Sequence, residues 1–296
     1  MLTSGEAFYN LPVEYFSRQR FADSYSSQTG DALLSDPIVT LTTDFGTGDH
    51  LVGCMKGVIL NINPATRIVD VNHHVTPFDI LDGALCIANS YPYFPPRTVH
   101  IVVVDPGVGT QRRPLLVSAE KQYFVAPDNG VLSLIFERES CVVRHIAAEH
   151  YFLNPISPTF HGRDIFAPTA AWLTKTWQTE AFGDPVTDYV RFTMPKAKPS
   201  GQGIKGVVLR VDAFGNLMTN LTPEDVPAAA AASGTIKLAV NGKEVCKLAQ
   251  TFAGGLVGEP VAIFGSAGFL EIAVNRGNAA RLLGANRGAE VTLDLS

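Results

Sequence analysis

The residues able to do chemistry stand at the ends of apolar runs. Val99-His100-Ile101-Val102-Val103-Val104 is rich in β-branched residues and reads as a buried strand. It stops at Asp105-Pro106-Gly107-Val108-Gly109-Thr110-Gln111-Arg112. A carboxylate, a Pro-Gly turn and a guanidinium therefore follow one strand end, where open α/β sheets place their ligands. The Gly107-x-Gly109 pair invites a dinucleotide reading, but Arg112 fills the third glycine position of that fingerprint. Asp44 closes another strand in Thr-Thr-Asp-Phe-Gly. It suits the two hydroxyls of a ribose, or else it holds its own loop as an Asx turn. His161 stands in Ser157-Pro158-Thr159-Phe160-His161-Gly162-Arg163-Asp164, just ahead of a helix. It reads as an oriented imidazole in a pocket or as a loop histidine bonded to backbone. Asp212-Ala213-Phe214-Gly215-Asn216 offers a carboxylate, an aromatic face and an amide within one short segment. That set suits an ammonium group and a purine base, or an ordinary turn.

Metal chemistry is not expected. His73 and His74 are adjacent, so on a strand they point to opposite faces. His50, His100, His145 and His150 show no metal-ligand spacing with Cys or carboxylate. No GxSxG, HExxH or Walker-type loop occurs.

The elements that must position these groups fall into two patterns. From 37 to 193, strand and helix alternate. Ile38–Thr42, Arg67–Val71, Val99–Val104 and Tyr123–Ala126 read as strands. Leu51, Val52, Met55, Val58, Ile59 and Ile62 recur at helical spacing, as does a set from Ile80 to Ala88 that ends near Tyr91-Pro92. A further helix is expected over Asp164 to Lys175. This periodicity implies an α/β domain with a central, mainly parallel sheet. Residues 194–203 carry prolines and glycines and read as a linker. From 204 to 296 the pattern is all-β, with Asn241-Gly242 marking a hairpin, and implies a small antiparallel barrel or sandwich. Residues 1–36 read as an arm that is disordered or lies on the surface or on a neighbouring subunit.

Bulk composition narrows the function classes. A chain of 296 residues with 46% hydrophobic and 17% charged residues is globular, with room for two domains. A net charge of −5 and the lack of Lys/Arg runs argue against nucleic acid. No apolar stretch reaches the roughly 18 residues of a membrane span, and the N-terminus lacks a secretory pattern. Cys54, Cys86, Cys141 and Cys246 are far apart and read as buried thiols of a reducing cytosol. A cytoplasmic location is expected.

The ordered segments TTDFG, MKGVILNINP, DVNHHVTPFDILDGA, VVVDPGVGTQRRP, FVAPDNGVLS, SPTFHGRDIFAP, DAFGNLMTNL and GSAGFLEIAVNRGNAA span both domains. Over residues 37–296 the chain resembles the S-adenosyl-L-methionine hydrolase (hydroxide adenosyltransferase) family. That family is related to enzymes that make 5′-fluoro- and 5′-chloro-adenosine from the same substrate. The resemblance implies an N-terminal α/β domain, a C-terminal β-barrel, and a homotrimer with active sites between subunits. It implies adenosine and L-methionine as products and no cofactor. Asp105, Arg112 and His161 match the residues that carry the water chemistry. The halogenase branch has Tyr where Asp105 stands and Ser where Gly162 stands, so the chain resembles the water-using branch. Halide-dependent synthesis of a 5′-halo-adenosine, and non-catalytic binding of S-adenosylmethionine, are the alternatives.

The resemblance also implies the substrate contacts. Asp44 matches the ribose carboxylate, and Phe78 and Phe160 match aromatic walls. Asp212 matches the residue that takes the methionine ammonium. Phe214, Asn216 and Phe252 match the adenine site, with Asn216 bonding the ring. Ser266 matches a carboxylate-binding serine, and Glu271 and Val274 fall on the strand that closes the site, Val274 offering backbone to adenine. Ala267 stands where the halogenase branch has an arginine for the methionine carboxylate. Asn275-Arg276-Gly277 is longer than the halogenase counterpart.

Overall fold

The computed structural model describes residues 36–295, so the arm expected at 1–36 lies outside the described residues but for Asp36. The chain divides into two compact units, with the boundary between Thr193 and Met194.

The first unit runs β1 (Ile38–Thr43), α1 (Leu51–Ile62), β2 (Arg67–Asn72), α2 (Ile80–Ser90), β3 (Val99–Val103), β4 (Pro114–Ser118), β5 (Tyr123–Pro127), α3 (Ser133–Arg138), β6 (Val142–His145) and α4 (Ala167–Thr176). The sheet order is β2-β1-β3-β5-β4-β6. The pairs β1–β2, β1–β3 and β3–β5 are parallel, while β4 runs antiparallel to both β5 and β6. The sheet is thus mixed, with its parallel part where the sequence shows strand-helix alternation. Strand β3 is buried at every residue, as the apolar run demands. Its residues alternate between faces: Val99, Ile101 and Val103 join Met55, Ile59, Phe166, Ala170 and Leu173 in one core. His100 faces the other way and stacks on Phe124, with ring centroids 5.0 Å apart. Asp79 caps α2 by accepting the Asp82 N–H.

The helix expected from Asp164 begins differently. Gly162–Phe166 winds as a π-helix, with Ala167 N–H bonded to Gly162 O, and regular α4 starts only at Ala167. The 3-10 turn Tyr91–Tyr93 ends the α2 region near where Pro92 places the break.

The second unit runs β7 (Lys198–Ser200), β8 (Gly203–Val211), β9 (Leu217–Thr219), α5 (Ala228–Ser233), β10 (Thr235–Val240), β11 (Lys243–Lys247), β12 (Pro260–Phe264), β13 (Leu270–Val274), α6 (Ala279–Leu283) and β14 (Glu290–Asp294). The order β11-β10-β14-β8-β9-β13-β12 is antiparallel throughout. A bridge between Leu248 and Ala262 brings the two edges together, so the sheet is nearly a barrel. Asn241 and Gly242 have φ of 48° and 76°, both left-handed as a primed two-residue hairpin turn requires. The segment expected as linker contains β7, which pairs with the start of β8.

Among the described residues no helix is long and apolar enough to cross a membrane. None of the cysteines forms a disulfide. They are less buried than the sequence reading expects: Cys54, Cys86 and Cys141 are half-buried and Cys246 is exposed.

Candidate active site

The guanidinium of Arg112 is the hub of the first unit's polar cluster. After β3 the chain reverses, with Thr110 N–H and Thr110 Oγ1 both donating to Gly107 O at 3.2 and 2.7 Å. Gly109 has φ +76°, and a Cβ there would fall 2.1 Å from the Pro158 carbonyl oxygen. Glycine alone lets the loop of Arg112 press its backbone on the loop of His161. The reversal brings Arg112 back onto Asp105. Its Nε donates to the two carboxylate oxygens at 2.9 and 3.2 Å, and its Nη2 donates to Oδ2. These side chains are 8% and 4% exposed.

Arg112 Nη2 also meets His161 Nδ1 at 2.8 Å. A guanidinium has no lone pair to give, so Nδ1 accepts and the imidazole proton sits on Nε2. Burial, then the Arg112 charge, hold the imidazole below its ordinary 6.5, against smaller opposing effects of Asp105 and Asp164. His161 is neutral at pH 7. Arg112 Nη1 is buried and has no hydrogen-bond partner among the described residues. The Arg112 Cζ lies 5.3 Å from the Phe166 ring centroid. The cluster can therefore offer one more charged donor to an oxygen beside a carboxylate.

Asp44 leaves the strand next to β3, because Thr43 pairs with Val103. Its Oδ2 accepts the Phe78 N–H at 2.9 Å. Phe78 has φ 65° and is 72% exposed. A bulky residue in the left-handed region costs free energy, and such strain gathers at ligand sites. Phe160 is buried, meets Phe45 edge-on at 6.1 Å between centroids, and lies 5.0 Å from the Arg163 Cζ. No hydrogen bond joins Asp44 to the Asp105–Arg112–His161 cluster among the described residues.

In the second unit the turn between β8 and β9 is built around Asp212. Its Oδ1 accepts the N–H groups of Phe214 and Asn216 at 2.9 and 2.8 Å, and its Oδ2 accepts from Asn216 Nδ2 at 2.8 Å. The Asn216 amide nitrogen is thus engaged within the turn and the residue is buried, while the Phe214 ring is exposed. Glu271 on β13 is half-buried. Burial, then the Asp212 charge, push its carboxyl up. Ser266 is exposed in the β12–β13 turn, and the Phe252 ring is exposed in the loop before β12. No hydrogen bond ties either side chain to the Asp212 turn among the described residues. The Val274 carbonyl accepts the Gly277 N–H at 3.0 Å.

The structure brings Asp105, Arg112 and His161 together, pairs Asp44 with the Phe78 backbone, and gathers Asp212, Phe214, Asn216 and Glu271. Sequence reasoning missed Phe45, Phe166 and Asp164 as neighbours of these groups. Each lies within a motif already singled out, but nothing in their spacing marks a role. Among the described residues no three His, Cys, Asp or Glu side chains come together to hold a metal ion.

Comparison with known proteins adds a second line. Residues 39–183 match the SAM hydroxide adenosyltransferase N-terminal domain, and residues 206–292 match the C-terminal domain of the same family. An (R)-S-adenosyl-L-methionine hydrolase of Salinispora tropica is 36% identical over 273 residues, covering 85% of this chain and 95% of that protein. A fluorinase of an Actinoplanes species is 31% identical over 272 residues, covering 81% and 91%. The crystal structure of an uncharacterized conserved protein from Thermotoga maritima matches with a TM-score of 0.79 and 38% identity, covering 87% of this chain and 99% of that one.

Proposed function

The chain belongs to the SAM hydroxide adenosyltransferase family, and from that premise we propose that it hydrolyses S-adenosyl-L-methionine to adenosine and L-methionine. The observation that carries the reading is the buried Asp105–Arg112 pair in contact with the half-buried His161, with one guanidinium nitrogen left over. Hydrolase relatives are named for the R form of the substrate, so both sulfonium epimers belong in the assay.

The sulfonium is already a good leaving group, and the difficult partner is water, whose pKa is about 15.7. Arg112 Nη1 donates to the water oxygen and stabilises it as it becomes hydroxide-like. Oxygen attacks C5′, the C5′–O bond forms, and the C5′–S bond breaks with its electron pair leaving on sulfur. His161 has no free lone pair in the tautomer described, since Nδ1 is bonded and Nε2 carries the proton. A carboxylate has about four acceptor positions and Arg112 fills three of them. Asp105 therefore takes the proton of the water and passes it to solvent. Holding the oxygen in line behind C5′ contributes up to roughly 7–11 kcal/mol. No step needs a cofactor.

Asp44 takes the ribose hydroxyls, with Phe78 and Phe160 as walls. Asp212 takes the ammonium, Ser266 the carboxylate, and Phe214, Asn216 and Phe252 the adenine, with Glu271 and Val274 on the closing strand. The protein acts as a cytoplasmic homotrimer whose sites draw on two subunits. Co-expressing Asp105→Ala with Asp212→Ala tests the shared site: mixed trimers regain activity, whereas a fully active monomer contradicts it.

The direct assay is incubation with each epimer and chromatography. Adenosine and methionine in equal amounts, unaffected by a chelator, are expected. Asp105→Ala, Arg112→Ala and His161→Ala lower kcat much more than they weaken binding. A 5′-halo-adenosine at high halide, or binding without turnover, overturns the hydrolase reading.

A further inference from the structure

Asp164 is 1% exposed, lies three residues beyond His161, and has no part in the chemistry above. Its carboxylate accepts the Ser157 N–H at 2.8 Å and both Nε and Nη2 of Arg163 at 2.6 and 2.9 Å. Its own N–H donates to Phe160 O at 3.1 Å, and its carbonyl accepts the Leu153 N–H at 2.9 Å. That carbonyl is free for a reason. In an α-helix it would bond the N–H four residues on, and residue 168 is proline. The intervening turn is π-wound, a form found often at functional sites. One residue thus fixes the loop from Leu153 to Phe160 at both ends. The same loop presses Pro158 O against Gly109, and it ends on His161, whose Nδ1 meets Arg112.

We propose that Asp164 is a positioning residue: its buried carboxylate clamps the 153–160 loop so that His161 stays registered on Arg112. The Arg163 guanidinium held by that carboxylate also lies over the Phe160 ring, at the end of the same loop. The proposal rests on the hydrolase reading for its kinetic consequence, but not for its structural one.

The test is a double-mutant cycle of Asp164→Asn with His161→Ala, read by kcat, KM and thermal midpoint. A misplacement near 1 Å costs on the order of 100-fold, so Asp164→Asn lowers kcat about that much with KM little changed. In the His161→Ala background it adds no further loss. Losses that multiply, or a wild-type kcat in Asp164→Asn, overturn the proposal. The second readout is the ¹⁵N spectrum of the imidazole. The native protein shows an unprotonated Nδ1 and protonated Nε2 for His161, and Asp164→Asn averages the two tautomers. An unchanged spectrum in the variant refutes the clamp even if the chain makes no adenosine, which separates this failure from failure of the hydrolase reading. Should Asp164→Asn not fold, Arg163→Gln loosens the same carboxylate from a more exposed position. It lowers kcat several-fold, again only when His161 is present; an undiminished kcat there counts against the clamp.

Discussion

Arg112→Lys separates the charge of the guanidinium from its shape. Arginine makes three bonds to Asp105 and one to His161 through Nε and Nη2, and holds Nη1 in reserve. A lysine ammonium has three donors on a single atom and cannot span the carboxylate, the imidazole and a water oxygen at once. It still neutralises Asp105, whose side chain is 4% exposed. The variant therefore avoids the roughly 3–5 kcal/mol of an unpaired buried charge. It loses the donor at the developing hydroxide, worth about 2.7–4 kcal/mol or 10²–10³ in kcat. Arg112→Ala suffers both losses, and its thermal midpoint falls by roughly 6–20 °C at about 2–4 °C per kcal/mol. Initial rates of adenosine release, with a melting curve for each variant, read both quantities. Arg112→Lys with kcat within a few-fold of native refutes the reasoning, as does a raised KM at constant kcat.

Activity should follow an acid limb whose midpoint lies below 6.5, because burial and Arg112 hold the His161 imidazole down and protonating Nδ1 would set two cations together. A rate profile against pH checks it, and a midpoint at or above 6.5 argues against the tautomer. Gly109→Ala places a Cβ against Pro158 O in a left-handed conformation. It should destabilise the first unit by more than about 1 kcal/mol and lower kcat at the same time. Calorimetry with the adenosine assay tests both. His100 is buried, bonded to Thr40 and Gln122, and burial pushes its imidazole down to about 3. Its neutral form contributes stability in full above about 6.5. That contribution falls by up to roughly 1.4 kcal/mol per unit as pH drops toward 3. Denaturant unfolding of His100→Asn across that range should show a shallower slope than the native chain.

The parallel half of the first sheet was legible because β1, β2 and β3 are rich in β-branched residues and β5 is a short apolar run. Strands β4 and β6 escaped notice for a physical reason. Pro114–Ser118 follows two arginines and Val142–His145 ends in charge, so neither shows the long apolar run of a central strand. Their place is set by pairing to β5 and to each other. Strand β9 has three residues, too few for any periodicity. The π-wound turn holds Asp164, whose carbonyl accepts the Leu153 N–H eleven residues back, a contact that local propensity does not register. The polar trio was legible as residue types at strand and loop ends. Its contact was not, because the approach of the two loops depends on a missing Cβ at Gly109.

Hydrolysis at C5′ is tested most directly by running the reaction with S-adenosylmethionine in ¹⁸O-labelled water. The expected result is adenosine carrying one ¹⁸O at the 5′ position, with an equal amount of unlabelled methionine. The label in methionine, a halogenated nucleoside in place of adenosine, or no release of methionine would contradict it.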